Sequence, residues 1–225
     1  MGRPRKGNTV VELTLIRHGQ AQTGARDEAS YDSLSDLGHQ QAQWLGETLR
    51  GGVPFDRIIS GDMKRQIQTA EGLALGVHHS IDPRLNELDY FGLAASLKAS
   101  HGVDIPNDIQ SFAQHVPQVL DVWRQGGMNG DLETYDAFCS RIMGALHNAA
   151  GQDGRTVLVT STGVIATLSA IALGLDMVKK TKLFLRVMNT SVHKFDMVGD
   201  ELHLTQFGAV PHLERPDRIH AQTYG

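Results

Sequence analysis

The chain has a single cysteine, no basic excess and no apolar run long enough to cross a bilayer, and each of these lacks removes a class of protein. One cysteine in 225 residues excludes an internal disulfide. Its neighbours, Phe138 before it and Ile142 and Met143 after it, read as the apolar face of a helix, so Cys139 is expected as a buried thiol. A formal net charge of −4 leaves no surface excess for nucleic acid or an anionic membrane, so an anion can be bound only locally. The longest apolar-rich stretch, Val164 to Leu175, is too short to span a membrane. The basic start Met1-Gly2-Arg3-Pro4-Arg5-Lys6-Gly7 precedes no apolar signal core, and Lys6 stands where a myristoylation motif has Ser or Thr. A loose arm over residues 1–9 is the simplest expectation. There is no internal repeat or low-complexity tract, and the histidines, the pair His78-His79 included, lack metal-ligand spacing. What remains is the composition of an ordinary soluble globule of one domain, expected in the cytoplasm, with its oligomeric state open.

Strands alternate with helices. Val10 to Ile16 is β-branched and apolar and closes on Arg17-His18-Gly19, a buried strand whose end carries two polar side chains and a permissive backbone. Ser35 is placed to cap a helix with Ala42, Leu45 and Leu49 at helical spacing, ended by Gly51-Gly52. Phe55 to Gly61 reads as a second strand, and Met63, Ile67, Ala70 and Ala74 as the second helix. A short extended segment runs from His79 to Leu85. Residues 93–150 read as a mostly helical insertion that caps the site, interrupted by the turn Gly126 to Gly130; Leu93, Leu97, Ile105 and Phe112 line either an apolar pocket or the insertion's own core. Thr156 to Ser161 returns to the buried-strand pattern, and Thr162-Gly163 opens the apolar helix Val164 to Leu175, a natural anion cradle. Strands near residues 191–195 and 202–205 add an antiparallel edge, and residues 214–225 form an irregular tail. The lysines around Val178 to Lys182 read as a solvated face. The pattern predicts an α/β fold with a mainly parallel sheet.

Three strand ends then converge: Arg17-His18, Ser60 through Arg65, and Ser161-Thr162. In a doubly wound sheet such ends face one crevice. Two arginines, a histidine, hydroxyls and a helix N-terminus make an oxyanion pocket inside an acidic protein, and the guanidinium fork suits phosphate oxygens.

The ordered set Arg17-His18-Gly19-Gln20, Leu34-Ser35 with Gly38 and Gln41-Ala42, Ser60 with Lys64-Arg65 and Gln68-Thr69-Ala70, and Leu85-Asn86-Glu87 resembles the histidine phosphatase superfamily of phosphoglycerate-mutase-like proteins. The resemblance implies a three-layer α/β/α fold, no metal or organic cofactor, and a small phosphorylated substrate. It implies that His18 is the nucleophile that takes up the phosphoryl group, that Arg17 and Arg65 clamp its oxygens with help from Gln20, and that Glu87 is the general acid and then base. Asp89, two residues on, is the competing carboxylate, because a period-two strand puts both on one face.

Family members usually carry a second histidine in a Ser-His-Gly-Gly pattern, whereas this chain reads Val159-Thr160-Ser161-Thr162-Gly163. Ser161 stands near the missing histidine and Thr162 in the place of the second glycine; a subset of the family has Thr-Ser-Gly-Gly here, and both residues are expected at the phosphate. A hydroxyl donates a weaker bond than an imidazolium, so turnover is expected to be slower unless another group substitutes; His212 is the candidate, if the chain folds back over the crevice. After Gln20 the chain has Ala21-Gln22-Thr23-Gly24 where mutases show Ser or Thr and a later Asn. The expected activity is hydrolysis of a phosphate monoester through phosphohistidine. The alternatives are a mutase-like phosphotransferase and a weakly active phospho-ligand-binding protein.

Overall fold

The computed structural model describes residues 10–22, 31–128 and 130–224. The arm expected over residues 1–9 and part of the polar loop before Tyr31 lie outside the described residues. Six strands form one mixed sheet: β1 (Val10–Arg17), β2 (Arg57–Ser60), β3 (His78–Ile81), β4 (Thr156–Thr160), β5 (Val192–Val198) and β6 (Glu201–Ala209), in the order β3-β2-β4-β1-β5-β6. The first four pair in parallel, and β5 pairs antiparallel with both β1 and β6, the antiparallel edge that the late apolar segments predict. Among the described residues the helices are α1 (Asp36–Arg50), α2 (Lys64–Gly72), α3 (Tyr90–His101), α4 (Ile109–Arg124), α5 (Tyr135–Ala150), α6 (Thr162–Leu173) and α7 (Met177–Phe184).

β1 sits inside the sheet, and from Leu13 to Arg17 both its faces are buried. Leu13 and Leu15 enter one core with Leu158, Phe138 of α5 and Val164 of α6, and Ile16 enters the other with Val157, Val159 and Leu45 of α1. Side chains alternate across a strand, so a strand buried at every position from Leu13 to Arg17 needs cover on both sides, and that requirement makes three layers.

Three expectations change. Of the insertion expected over 93–150, α5 is a layer helix on the sheet, while Leu93 and Leu97 of α3 pack with Val116, Val119 and Leu120 of α4 in the same core, so those leucines fill core and not a pocket. Ile105 is exposed and Phe112 packs on the Tyr90 ring at 5.3 Å. The lysine run forms α7, capped by Asp176, whose carboxylate accepts from Lys179 N–H at 2.9 Å. Lys179 and Lys182 are solvated, but Lys180 is 1% exposed, with its ammonium 4.5 Å from the Tyr135 ring centre and a long 3.4 Å bond to that residue's hydroxyl. An eight-residue helix is too short to display a clear periodic face, which is why the run reads as solvated. Cys139 is half-buried, and burial holds its thiol above the ordinary range.

Candidate active site

The crevice lies at the carboxyl ends of β1, β2 and β4, where the chain leaves the sheet. β1 ends at Arg17, and His18 N–H extends the ladder to Thr160 O at 2.9 Å. The chain then passes under α1 at a backbone-on-backbone contact. A Cβ on Gly19 would sit 2.5 Å from Gly38 O, and one on Gly38 would overlap Gln20 O. Only a glycine pair lets α1 approach the loop this closely. Thr69 Oγ1 accepts from Gly19 N–H at 2.9 Å and donates to Arg65 O at 2.7 Å, so α2 and the loop share one hydroxyl.

His18 is 2% exposed. Its Nδ1 lies 2.7 Å from Gly19 O, and a carbonyl oxygen can only accept, so Nδ1 carries the proton and Nε2 keeps its lone pair. Nε2 has no protein partner among the described residues. Burial, and then the charges of Arg17 and Arg65, hold the imidazole well below its usual 6.5. The ring is therefore neutral at pH 7.

Arg17 is 4% exposed and donates from Nη1 to Val187 O and Tyr224 O, both at 2.6 Å. It also bonds to the Tyr31 hydroxyl. Arg65, the second residue of α2, is 1% exposed; its Nη1 meets Asp32 Oδ1 at 3.1 Å and its guanidinium stacks 4.9 Å over Tyr31. The same Asp32 carboxylate accepts from Lys64 N–H at 3.0 Å and Arg65 N–H at 3.2 Å. It caps α2 from outside, supplying the side-chain cap that Met63 does not provide. Tyr31 also meets His18 edge-on at 6.4 Å. Sequence reasoning misses Tyr31 and Asp32, because a loop residue that works through long-range contact leaves no local pattern.

Glu87 follows the 3-10 turn Pro83–Leu85. Both its oxygens accept from Gly163 N–H at 3.0 Å, and Oε1 accepts from Leu88 N–H at 3.0 Å. The cradle expected at the start of α6 is thus filled from within, by a carboxylate of the protein. Burial pushes the Glu87 carboxyl above the ordinary carboxylate range; the N–H bonds from Gly163 and Leu88 and the charges of Arg65 and Arg17 oppose that shift without cancelling it. Arg141 of α5, paired with Glu133 at 2.7 Å, donates to Arg84 O at 2.7 Å, Asn86 O at 2.8 Å and Glu87 O at 3.3 Å, and so pins the segment that carries Glu87. The competing Asp89 is exposed and caps α3, accepting from Gly92 N–H at 2.9 Å.

The other expected site residues are placed as follows. Ser161 is fully buried and its Oγ accepts from Gln66 Nε2 at 2.8 Å, which directs it toward α2. Thr162 is buried as the first residue of α6. Gln20 Oε1 accepts from the Ser35 hydroxyl at 2.8 Å. Ser60 is buried and bonds to Gly61 O and to His79 Nε2, both at 2.8 Å. His212 does not lie over the crevice as expected. It is 1% exposed, with Nε2 2.8 Å from Thr190 Oγ1, and Thr190 N–H donates to Arg17 O at 3.1 Å. The ring stands behind the backbone of the clamp, and burial lowers its pKa to about 4.

Arg17, His18, Arg65 and Glu87 thus meet at one crevice, where both guanidinium charges act on both the imidazole and the carboxyl. Against known families, residues 13–209 match the model for the histidine phosphatase superfamily, branch 1. The chain belongs to that superfamily. The glucosyl-3-phosphoglycerate phosphatase of Mycolicibacterium vanbaalenii is 30% identical over 180 residues, covering 74% of this chain and 76% of the relative. Phosphoglycerate mutase-like protein 4 of Arabidopsis thaliana is 26% identical over 91% of this chain and 87% of its own length. Among solved structures, phosphoglycerate mutase from Bacillus anthracis superposes with a TM-score of 0.67 at 21% identity, covering 91% of this chain and 96% of that one. The α/β fold expected from the sequence is the fold of these phosphoglycerate-mutase-like structures.

Proposed function

We propose that this protein hydrolyses a small phosphate monoester through a phosphohistidine on His18. The observation that carries the reading is the neutral His18 imidazole, with Nδ1–H spent on Gly19 O and Nε2 unpartnered among the described residues, set between two buried guanidiniums. Nε2 attacks phosphorus, the bond from phosphorus to the ester oxygen breaks, and Arg17 and Arg65 hold the non-bridging oxygens as charge shifts. Glu87, whose raised pKa favours the protonated form, gives its proton to the leaving oxygen. The resulting carboxylate takes a proton from water as water attacks phosphorus, and the N–P bond breaks to release phosphate.

Gln20 and Ser161 accept from Ser35 and Gln66 through Oε1 and Oγ, which leaves the Gln20 side-chain amide N–H and the Ser161 O–H to donate to phosphate oxygens beside the two arginines. The α3–α4 region, which follows Glu87 in the chain, shapes the leaving-group side and sets the substrate. The match to a phosphatase supports hydrolysis. The match to a mutase-like protein gives the second reading, transfer to another hydroxyl of the substrate, and a buried serine in place of an imidazole gives a third, ligand binding with feeble turnover. Turnover of p-nitrophenyl phosphate and of a panel of phosphorylated metabolites separates them. Free phosphate from the wild type and a loss of about 10³-fold or more in His18→Ala are expected. Isomerised substrate without free phosphate favours the mutase, and saturable phospho-ligand binding without either product favours the binding protein.

A further inference from the structure

Behind the nucleophile lies a closed ring of polar groups contributed by segments far apart in the chain. Gln20 N–H donates to Gln41 Oε1 at 2.8 Å, and Gln41 Nε2 donates to Thr223 Oγ1 at 3.0 Å and to Ala221 O at 2.7 Å. Thr223 Oγ1 in turn donates to Asn189 Oδ1 at 2.9 Å, and Asn189 Nδ2 donates to His18 O at 3.2 Å. Both amides are oriented by backbone: Gln41 must present oxygen to an N–H and nitrogen to a carbonyl, and Asn189 must present nitrogen to a carbonyl. That leaves one gap, which requires a group that accepts on one side and donates on the other. The Thr223 hydroxyl does both. Gln41 and Asn189 are fully buried, so removing the hydroxyl would leave an amide N–H and an amide oxygen without water to replace it.

The ring reaches the imidazole through one peptide group. The Gly19–Gln20 peptide is planar, so the direction of Gln20 N–H fixes that of Gly19 O. Gly19 O holds His18 Nδ1 at 2.7 Å. Tilting the Gln41 amide therefore rotates the bond that aims Nε2, while releasing Asn189 loosens the His18 carbonyl on the other side.

We infer that Thr223 is a positioning residue for His18, acting through Gln41 and Asn189 on the two ends of the nucleophile loop. The inference rests on the reading of His18 as the nucleophile. The test compares Thr223→Val, which keeps shape and loses the hydroxyl, with Thr223→Ser, which keeps the hydroxyl, in the full chain. The assay is p-nitrophenyl phosphate turnover, normalised to the number of sites that trap phosphate. A misaimed nucleophile loses rate per site: kcat in Thr223→Val falls about 10- to 100-fold with KM within about threefold, and Thr223→Ser returns to within about threefold of wild type. A residue that serves only to hold the fold would lower the number of active sites and leave the rate per site unchanged. Wild-type rate per site in Thr223→Val overturns the inference. If that variant does not fold, Thr223→Ala is measured instead, and a wild-type rate per site there overturns it equally. His18→Ala is run alongside: full turnover in that variant removes the nucleophile reading itself, whereas a silent His18→Ala with a normal Thr223→Val removes only the positioning role.

Discussion

Replacing Gly163 by alanine tests the role of Glu87 by displacing its carboxylate while leaving the residue in place. A methyl at this position would overlap Glu87 Oε1 and lie 2.6 Å from Leu88 Cδ2. Gly163 is the second residue of α6 and is not among the positive-φ glycines, so its backbone accepts alanine, whose helix preference is favourable by about 1 kcal/mol. The obstructing oxygen is the end of a flexible side chain, so the fold survives and the carboxylate moves. Moving it forfeits the bonds from Gly163 N–H at 3.0 Å to the two oxygens, and a hydrogen bond to a neutral group is worth about 0.5–1.5 kcal/mol. A general acid contributes about 10²–10⁴-fold, and a displaced one retains part of that. Gly163→Ala is therefore expected to lower kcat about 10²-fold on an alkyl phosphate, whose leaving oxygen needs a proton. On p-nitrophenyl phosphate, whose phenolate departs unaided, the loss is expected to be under about 10-fold. Steady-state kcat on both substrates and the thermal midpoint of the variant make the assay. Equal losses on the two substrates, or an unaltered rate on the alkyl ester, would refute the assignment of Glu87 as proton donor.

Other perturbations follow from the same geometry. Asp32→Asn weakens both the Arg65 pair and the α2 cap, so KM for p-nitrophenyl phosphate should rise and stability should fall by about 1 kcal/mol, read by denaturant titration; an unchanged KM would show that Arg65 needs no such hold. His193 and His212 stay neutral when folded down to about 3 and about 4, whereas the unfolded chain takes up their protons near 6.5. Stability is thus complete above pH 6.5 and declines as pH falls, by about 2 kcal/mol for each of the two at pH 5; a flat stability profile from pH 7 to 5 would contradict this. Lys180, lowered by burial from 10.5 to about 8, carries its charge at pH 7 at a cost of about 3 kcal/mol. Lys180→Met should stabilise the protein by about 2 kcal/mol at pH 7 and by little above pH 10.5, where the unfolded lysine is also neutral; destabilisation at pH 7 would show that the ammonium is needed.

Local signals made the heart of the site legible. A strand rich in Val, Leu and Ile ending in Arg17-His18-Gly19 predicts a buried parallel strand with polar groups at its mouth, and that is the place of β1 in the sheet. The paired glycines and the Gln68-Thr69-Ala70 run were visible as a pattern, but their work was not. Thr69 holds Gly19 N–H, and Gln68 Oε1 accepts from Leu34 N–H at 2.8 Å. The choice between Glu87 and Asp89 could not be made from period two, because the chain turns into a 3-10 turn before Glu87 and into α3 after it. Tyr31, Asp32, Arg141 and Thr223 were out of reach for one common reason. Each acts by a side-chain bond to a residue distant in the chain, such as Thr223 to Gln41 across 182 positions, and such bonds leave no periodicity. His212 and Lys180 were misplaced in opposite directions, toward the crevice and toward solvent, because neither lies on an element long enough to reveal its buried face.

The central claim is that His18 Nε2 bonds to phosphorus during turnover. Rapid acid-free quenching of the protein with labelled p-nitrophenyl phosphate, followed by peptide mapping, tests it most directly. One phosphate per chain on His18, stable in base, lost in acid and missing from His18→Ala, is the predicted result. Steady release of phosphate from a wild-type protein that never carries label on His18, or turnover that persists in His18→Ala, would contradict it.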